Sequence, residues 1–252
     1  MGRVRELLRG AWRTAVPEPG DRHGPLPPLL LALTVLSGMI DAVSYLMLGQ
    51  VFVANMTGNV VFLGFALAGA PGFSVTTSLV ALLAFVAGAF LGGRLLAPVT
   101  HRGRALLHAV LVETVLLGAA ALLVALFPVS PGSTDSSRDL ATAVLALAMG
   151  VQNAMVAVVA VPDLTTTVVT RTITAAFADT GRTGRLEQRA GRRLLSVLTL
   201  AAGALVGATL VLHASQGAAL GVPAALALVA GLAAVRPARA DAPWTARDRG
   251  RA

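Results

Sequence analysis

LLLALTVLSGMIDAVSYLMLGQVFVANMTGN, Leu29–Asn59, is the stretch that decides the fold. Leu29–Leu48 is an apolar block whose only charge is Asp41. A run of about 20 such residues is what a helix needs to cross the hydrocarbon layer of a bilayer. After Gly49-Gln50 a second apolar block begins at once. It carries two amides and a hydroxyl around a glycine in Asn55-Met56-Thr57-Gly58-Asn59. A chain that opens this way reads as an all-α integral membrane protein, with polar groups set on purpose inside the membrane.

The rest of the sequence repeats the pattern. Further blocks run Val51–Ala70, Val75–Ala97, Ala105–Phe127, Leu140–Val161, Thr165–Ala178 (shorter and Thr-rich), Leu194–His213 and Gly217–Val235. Of 252 residues, 56% are hydrophobic and only 13% charged, too few charges to cover soluble domains. The organisation expected is a basic arm and Pro/Gly linker (1–28), a first membrane half (29–127), a polar loop (128–139), a second half (140–235) and a basic tail (236–252). Residues 1–16 set Leu7, Leu8 and Trp12 against Arg3, Arg5, Arg9 and Arg13, the pattern of a short amphipathic helix on an anionic leaflet or of a solvated tail.

The net charge of +8 comes entirely from arginine, since the chain has no lysine. Those arginines gather at the ends of apolar blocks, which is the placement of topology signals, not of a nucleic-acid surface. If all eight blocks spanned, the N-terminal arm and Arg94–Arg104 would lie on opposite faces. If the second and sixth blocks dip in and return, the arm, Arg94–Arg104, Arg182–Arg193 and the tail all share one face. The expectation is therefore about six transmembrane helices plus two re-entrant or broken segments, with both termini cytoplasmic. With no cysteine, disulfides, thiolate metal sites and Cys nucleophiles are excluded.

The halves also match each other. Gly38-Met39-Ile40-Asp41-Ala42, read as the end of the first helix, corresponds to Gly150-Val151-Gln152-Asn153-Ala154 at an offset of 112. Thr57-Gly58-Asn59 corresponds to Thr170-Arg171-Thr172 at 113, and Gly88-x-x-x-Gly92 to Gly203-x-x-x-Gly207 at 115. Halves with an odd number of spans would form an inverted repeat, an architecture that puts binding sites near the midplane on interrupted helices.

The candidate solute-binding or pore residues are those polar groups: Asp41, Asn55, Thr57, Gly58 and Asn59 in the first half, and Gln152, Asn153, Thr167, Thr170 and Arg171 in the second. Asp41 is too short to reach an interface from mid-helix, Gly58 is where the second helix is expected to break, and Arg171 is a counter-ion for Asp41 if the halves face each other. Glu113 is a further intramembrane acid, but His108, five residues away, is not squarely on its helix face, so the pair makes a poor metal site. No phosphate-binding loop, dinucleotide fingerprint, nucleophile elbow or zinc motif is present, so no catalytic residue, metal or cofactor is expected.

At SGMIDAVSYLMLGQVFVANMTGN (Ser37–Asn59) and MGVQNAMVAVVAVPDLTTTVVT (Met149–Thr170) the sequence resembles the YoaK-like family of bacterial inner-membrane proteins. The likeness rests on the intramembrane Asp, the Phe-x-x-Asn step and the Thr-Gly-Asn, and it extends over about residues 29–235. Family members usually continue with Thr-Gly after the Thr-rich run, where this chain has Arg171. The resemblance implies a multi-pass plasma-membrane protein, and no substrate or reaction.

Three functions compete. A transporter or channel for a small solute or ion would line its path with the two motif stretches. A membrane scaffold or partner subunit would use the same residues only to hold helices together, and a membrane-embedded enzyme is third. The partners expected are the lipid bilayer and a small solute or ion, with no nucleic acid; a homo-oligomer stays open.

Overall fold

The computed structural model describes residues 2–18, 20–129, 136–161, 164 and 185–247. Among them are eight α-helices and a single 3-10 turn, Pro243–Thr245. The helices are α1 (Gly2–Ala15), α2 (Leu26–Met47), α3 (Met56–Leu67), α4 (Val75–Leu96), α5 (Arg102–Leu126), α6 (Ser136–Val159), α7 (Arg185–His213) and α8 (Gln216–Arg239). Six are long and apolar enough to cross a membrane: α2, α4, α5, α6, α7 from Ala190 onward, and α8. The all-α membrane fold read from the sequence is thus the observed one.

Local chemistry sets the helix ends. Ser74, His101 and Ser215 each cap the helix that follows, accepting the backbone N–H of Thr77, Arg104 and Ala218 at 3.2 Å. The His101 cap starts α5 at Arg102, three residues ahead of the apolar block. Two expectations need correcting. The first helix does not end at Gly38–Ala42; it continues to Met47. The expected polar loop 128–139 gives its last residues to α6, which begins at Ser136.

α2 and α6 are the central helices. In their apolar windows 61% and 56% of residues are buried, against 17 to 39% for the other four spans. α2 packs on α7 and α8, α6 packs on α4 and α5, and α5 packs on α8. The close approaches are made by glycines. A Cβ on Gly88 or Gly92 of α4 would strike the backbone of Leu147 or Val151 of α6, and one on Gly150 would strike Phe85 and Ala89 in return. Between α2 and α7, Gly203 and Gly207 meet Val35 and Met39, and Gly38 meets Leu200 and Ala204. Small residues at crossings let helix backbones touch, which in lipid takes the place of a hydrophobic driving force.

The chain ends of the spans sort onto two faces. On one, Arg102 donates to Val159 O at the end of α6 (Nε at 2.7 Å), and Arg104 reaches Ala238 O at the end of α8. On the same face Arg247 donates to Leu96 O and Val99 O after α4, and Arg192 meets Thr14 of α1. On the other face the guanidinium of Arg138 lies against Gly49 and donates to Thr77, whose hydroxyl donates to Asp139 at 2.9 Å. There too the Gln216 side chain exchanges hydrogen bonds with the Val129 backbone at 2.9 and 2.7 Å. Arg138 is the one arginine on that face among the described residues. The described parts of all four basic stretches share a face, as the re-entrant reading requires.

The second block is the reason. α2 ends beside Gly49, Gly49 and Gln50 both take positive φ (96° and 57°), and the chain turns back into the bundle. Residues 51–55 are not helical, and Val53 and Ala54 come level with Asp41, about 9 Å below the end of α2. α3 then climbs back, so that Gly72 lies against the Gln50 side chain. A stack of Tyr45, Phe52, Phe62, Phe65 and Phe73, with centroids 5.2–6.2 Å apart, clamps the hairpin. The break precedes α3 and is not at Gly58, as expected. Gly58 lies inside α3, and its missing side chain leaves room for the Phe52 ring, which a Cβ there would strike. The sixth block and its expected break lie outside the described residues.

Candidate functional site

Backbone that leaves a helix at membrane depth must find hydrogen-bond partners within the protein. Two side chains supply them. Asp41 Oδ1, from α2, accepts the N–H groups of Val53 at 3.0 Å and Ala54 at 2.8 Å, and the Asn55 N–H also points at this carboxylate. Three successive N–H groups leading into a helix make an anion-binding nest, and α3 begins one residue later. From the other side Asn59, fully buried, closes a ring with Phe52: its Oδ1 accepts the Phe52 N–H at 2.8 Å and its Nδ2 donates to the Phe52 carbonyl. Asp41 and Asn59 thus hold the break as a neighbouring strand would. Asn55 and Thr57 flank it and are exposed.

A second polar contact joins the central helices. Gln152 Nε2 of α6 donates to Ser37 Oγ of α2 at 2.8 Å, and the Ser37 hydroxyl donates to Leu33 O at 3.0 Å. Both residues are fully buried. Gln152 Oε1 has no hydrogen-bond partner among the described residues. One turn from Ser37 is Asp41, and next to Gln152 is Asn153, whose Nδ2 donates to Met149 O at 2.9 Å. The structure therefore brings Asp41, Asn55, Thr57, Gly58 and Asn59 around one break, and Gln152 and Asn153 onto the adjoining central helix. Thr167, Thr170 and Arg171, and with them the Asp41–Arg171 pair, lie outside the described residues.

Two features escaped the sequence reading. Ser37 was passed over as one small residue among many; its partner is 115 residues away, and only packing reveals it. The Thr77–Arg138–Asp139 cluster joins the start of the third apolar block to two residues of a stretch that reads as loop. Glu113, already singled out, is fully buried with both carboxyl oxygens unpartnered among the described residues. No group of three or more His, Cys, Asp or Glu side chains could hold a metal ion among the described residues.

The geometry can now be set beside known proteins. Residues 29–233 match the family described as "Protein of unknown function (DUF1275)". The chain belongs to the DUF1275 family. A curated relative is the UPF0700 transmembrane protein YoaK of Bacillus subtilis (strain 168), 47% identical over 60 residues, 24% of this chain. The match spans 27% of that relative's length. No solved structure matches. A multi-pass membrane protein of the YoaK-like family is what the sequence, the six apolar helices and the family match agree on.

Proposed function

We propose that this DUF1275 member is a transporter or channel for a small polar solute or ion, set in the bacterial plasma membrane with both termini cytoplasmic. The observation that carries the reading is the interrupted segment 48–55, folded back to membrane depth and tied by its N–H groups to Asp41 on a central helix. Such breaks recur where transporters bind solutes, because they bring backbone dipoles and polar side chains to the midplane. Here exposed Asn55 and Thr57 at the break, and across the centre Gln152 Oε1, without a partner among the described residues, supply donors and acceptors for a polar solute.

Support also comes from the glycine contacts. The α4–α6 contacts repeat between α7 and α2 with every residue shifted by 112 or 115 positions. Each pair runs parallel, yet α2 and α7 start on the basic face whereas α4 and α6 end there. That is the relation of an inverted duplication, in which the α2–α6 crossing is the natural place for a shared site. Basic residues on one face support placing that face at the cytoplasm.

A specific observation favours a second reading. Asp41 and Asn59 already have their hydrogen bonds met within the protein, as a scaffold would require. A thermal-shift screen of small polar solutes on purified protein, followed by flux measurements in proteoliposomes, separates the two. A transporter should yield a solute that stabilises and crosses, and Asn55→Leu with Thr57→Val should weaken both effects. If no solute shifts or crosses, the scaffold reading stands. For orientation, single cysteines replacing exposed Arg104 and Leu67 should label from opposite sides, Arg104→Cys from the cytoplasm only.

A further inference from the structure

α1 is outside the six spans, yet it is neither free nor buried. Its Leu7 and Ala11 backbone lies against Gly191 of α7, where a Cβ would not fit, and Gly10 and Thr14 on that side are buried. Thr14 Oγ1 accepts from Arg192 at 3.4 Å. α1 is therefore docked on α7 at the residue where the apolar span, Ala190–His213, begins. A helix at that level lies at the boundary between headgroups and acyl chains.

The rest of its surface is divided in two. Leu8, Trp12 and Val16, four residues apart and thus on one stripe, are 65%, 68% and 51% exposed. Beside that stripe are Arg5, Arg9 and Arg13, all exposed, with Arg13 paired to Glu18 at 3.1 Å. Among the described residues nothing covers the apolar stripe. After Val16 the chain returns through 17–25 to Leu26, the start of α2 on the same face, so both ends of the arm are held at this level.

We propose that α1 is an interfacial anchor for an anionic lipid leaflet, with Leu8, Trp12 and Val16 inserted among the acyl chains and the arginines set against acidic headgroups. Depth argues for lipid: a stripe docked at the first turn of a span meets the bilayer before it meets any soluble partner. Tryptophan favours that zone because its ring is apolar and its N–H is polar. Charge argues for acidic lipid, since a row of arginines at the surface is attracted to the negative potential of the inner leaflet. An amphipathic helix with basic residues beside an aromatic stripe is the shape that lies in the interface plane. The proposal is independent of transport.

The chain has two tryptophans and no cysteine, which makes the test direct. In full-length Trp244→Phe, Trp12 is the sole tryptophan. Reconstituted in phosphatidylethanolamine vesicles, its emission should be quenched by brominated phosphatidylglycerol, several-fold more than by brominated phosphatidylcholine at equal content. With Arg5, Arg9 and Arg13 all changed to Gln, that preference should vanish. Equal quenching by both lipids in the parent, or none by either, would overturn the proposal. A second probe does not depend on Trp244→Phe folding. A nitroxide on Trp12→Cys should collide more with oxygen than with a water-soluble nickel chelate, and one on Arg13→Cys the reverse. Equal nickel access at the two positions would likewise overturn it.

Discussion

The Asp41 carboxylate accepts the backbone N–H of Ala54 at 2.8 Å, thirteen residues further along the chain. This one bond couples a central spanning helix to the break in a re-entrant hairpin. It explains how an acid can persist at membrane depth: its charge faces a nest of N–H groups at the start of α3, where the helix dipole also favours a negative group.

Removing that carboxylate should therefore loosen the hairpin. Asp41→Ala strips the acceptor from Val53, Ala54 and Asn55, and each orphaned donor in a buried setting costs about 1–3 kcal/mol. Val53 and Ala54 are buried and Asn55 is exposed, so the expected loss is at least about 2 kcal/mol, with roughly half of it recovered in Asp41→Asn, which keeps one acceptor oxygen. Melting in detergent reads this directly. An Asp41→Ala protein as stable as the parent would mean that the break is held by other contacts.

The glycine contacts predict a matched pair of effects. Gly88→Ala and Gly203→Ala push a methyl into the carbonyls of Leu147 and Val35, and each should cost about 1–3 kcal/mol as overpacking does. Gly118→Ala meets nothing within 4 Å and should be neutral or gain up to about 1 kcal/mol of helix propensity. Unequal costs at Gly88 and Gly203 in thermal melts would count against the two crossings being equivalent.

The spans were legible because lipid imposes one rule, a run of apolar residues, and each of the six observed spans coincides with one predicted apolar block to within four residues at either end. The re-entrant second block was legible through charge: Arg94–Arg104 can share a face with the N-terminal arm only if Val51–Ala70 does not cross. Its internal geometry was not. Asn55-Met56-Thr57-Gly58-Asn59 suggests a break at its glycine, the residue with the freest backbone. The chain instead breaks before it, because Asp41 and Asn59 capture the backbone of 52–55 and Phe52 needs the space above Gly58. Side-chain capture across twelve or thirteen residues leaves no periodic trace. The Ser37–Gln152 contact was invisible for the same reason, although Gln152 itself stood out.

Acid should undock the linker on the basic face. His23 is buried beside Arg22, Arg102 and Arg192, with Asp21 as the opposing charge. Burial first, then those arginines, lower its pKa from 6.5 to about 4. The folded linker thus binds this proton more weakly than the unfolded chain does. The stabilisation from neutral His23 is fully present above pH 6.5 and is lost as pH falls from 6.5 toward about 4. Proteolysis of the 17–25 linker should rise over that window in the parent and stay flat in His23→Gln. Identical profiles for the two proteins would remove His23 as the cause.

The last prediction separates site from scaffold at the centre. Gln152 is buried, with Oε1 unpartnered among the described residues, while its Nε2 needs Ser37. Ser37→Ala should cost about 0.6–2 kcal/mol, the range of hydrogen bonds between membrane helices, because it orphans Nε2 as well. Gln152→Leu removes the unmet Oε1, together with the Nε2 that Ser37 satisfies, at similar volume and leaves Ser37 bonded to Leu33 O, so it should be neutral or stabilising. The double variant should then melt with Gln152→Leu, not below it. A buried acceptor kept at a cost in stability is expected where activity needs it. Under the transport reading, Gln152→Leu holds or raises the melting temperature and lowers solute flux. If flux survives in the stabilised variant, Oε1 is an incidental packing defect and the α2–α6 crossing is not the site.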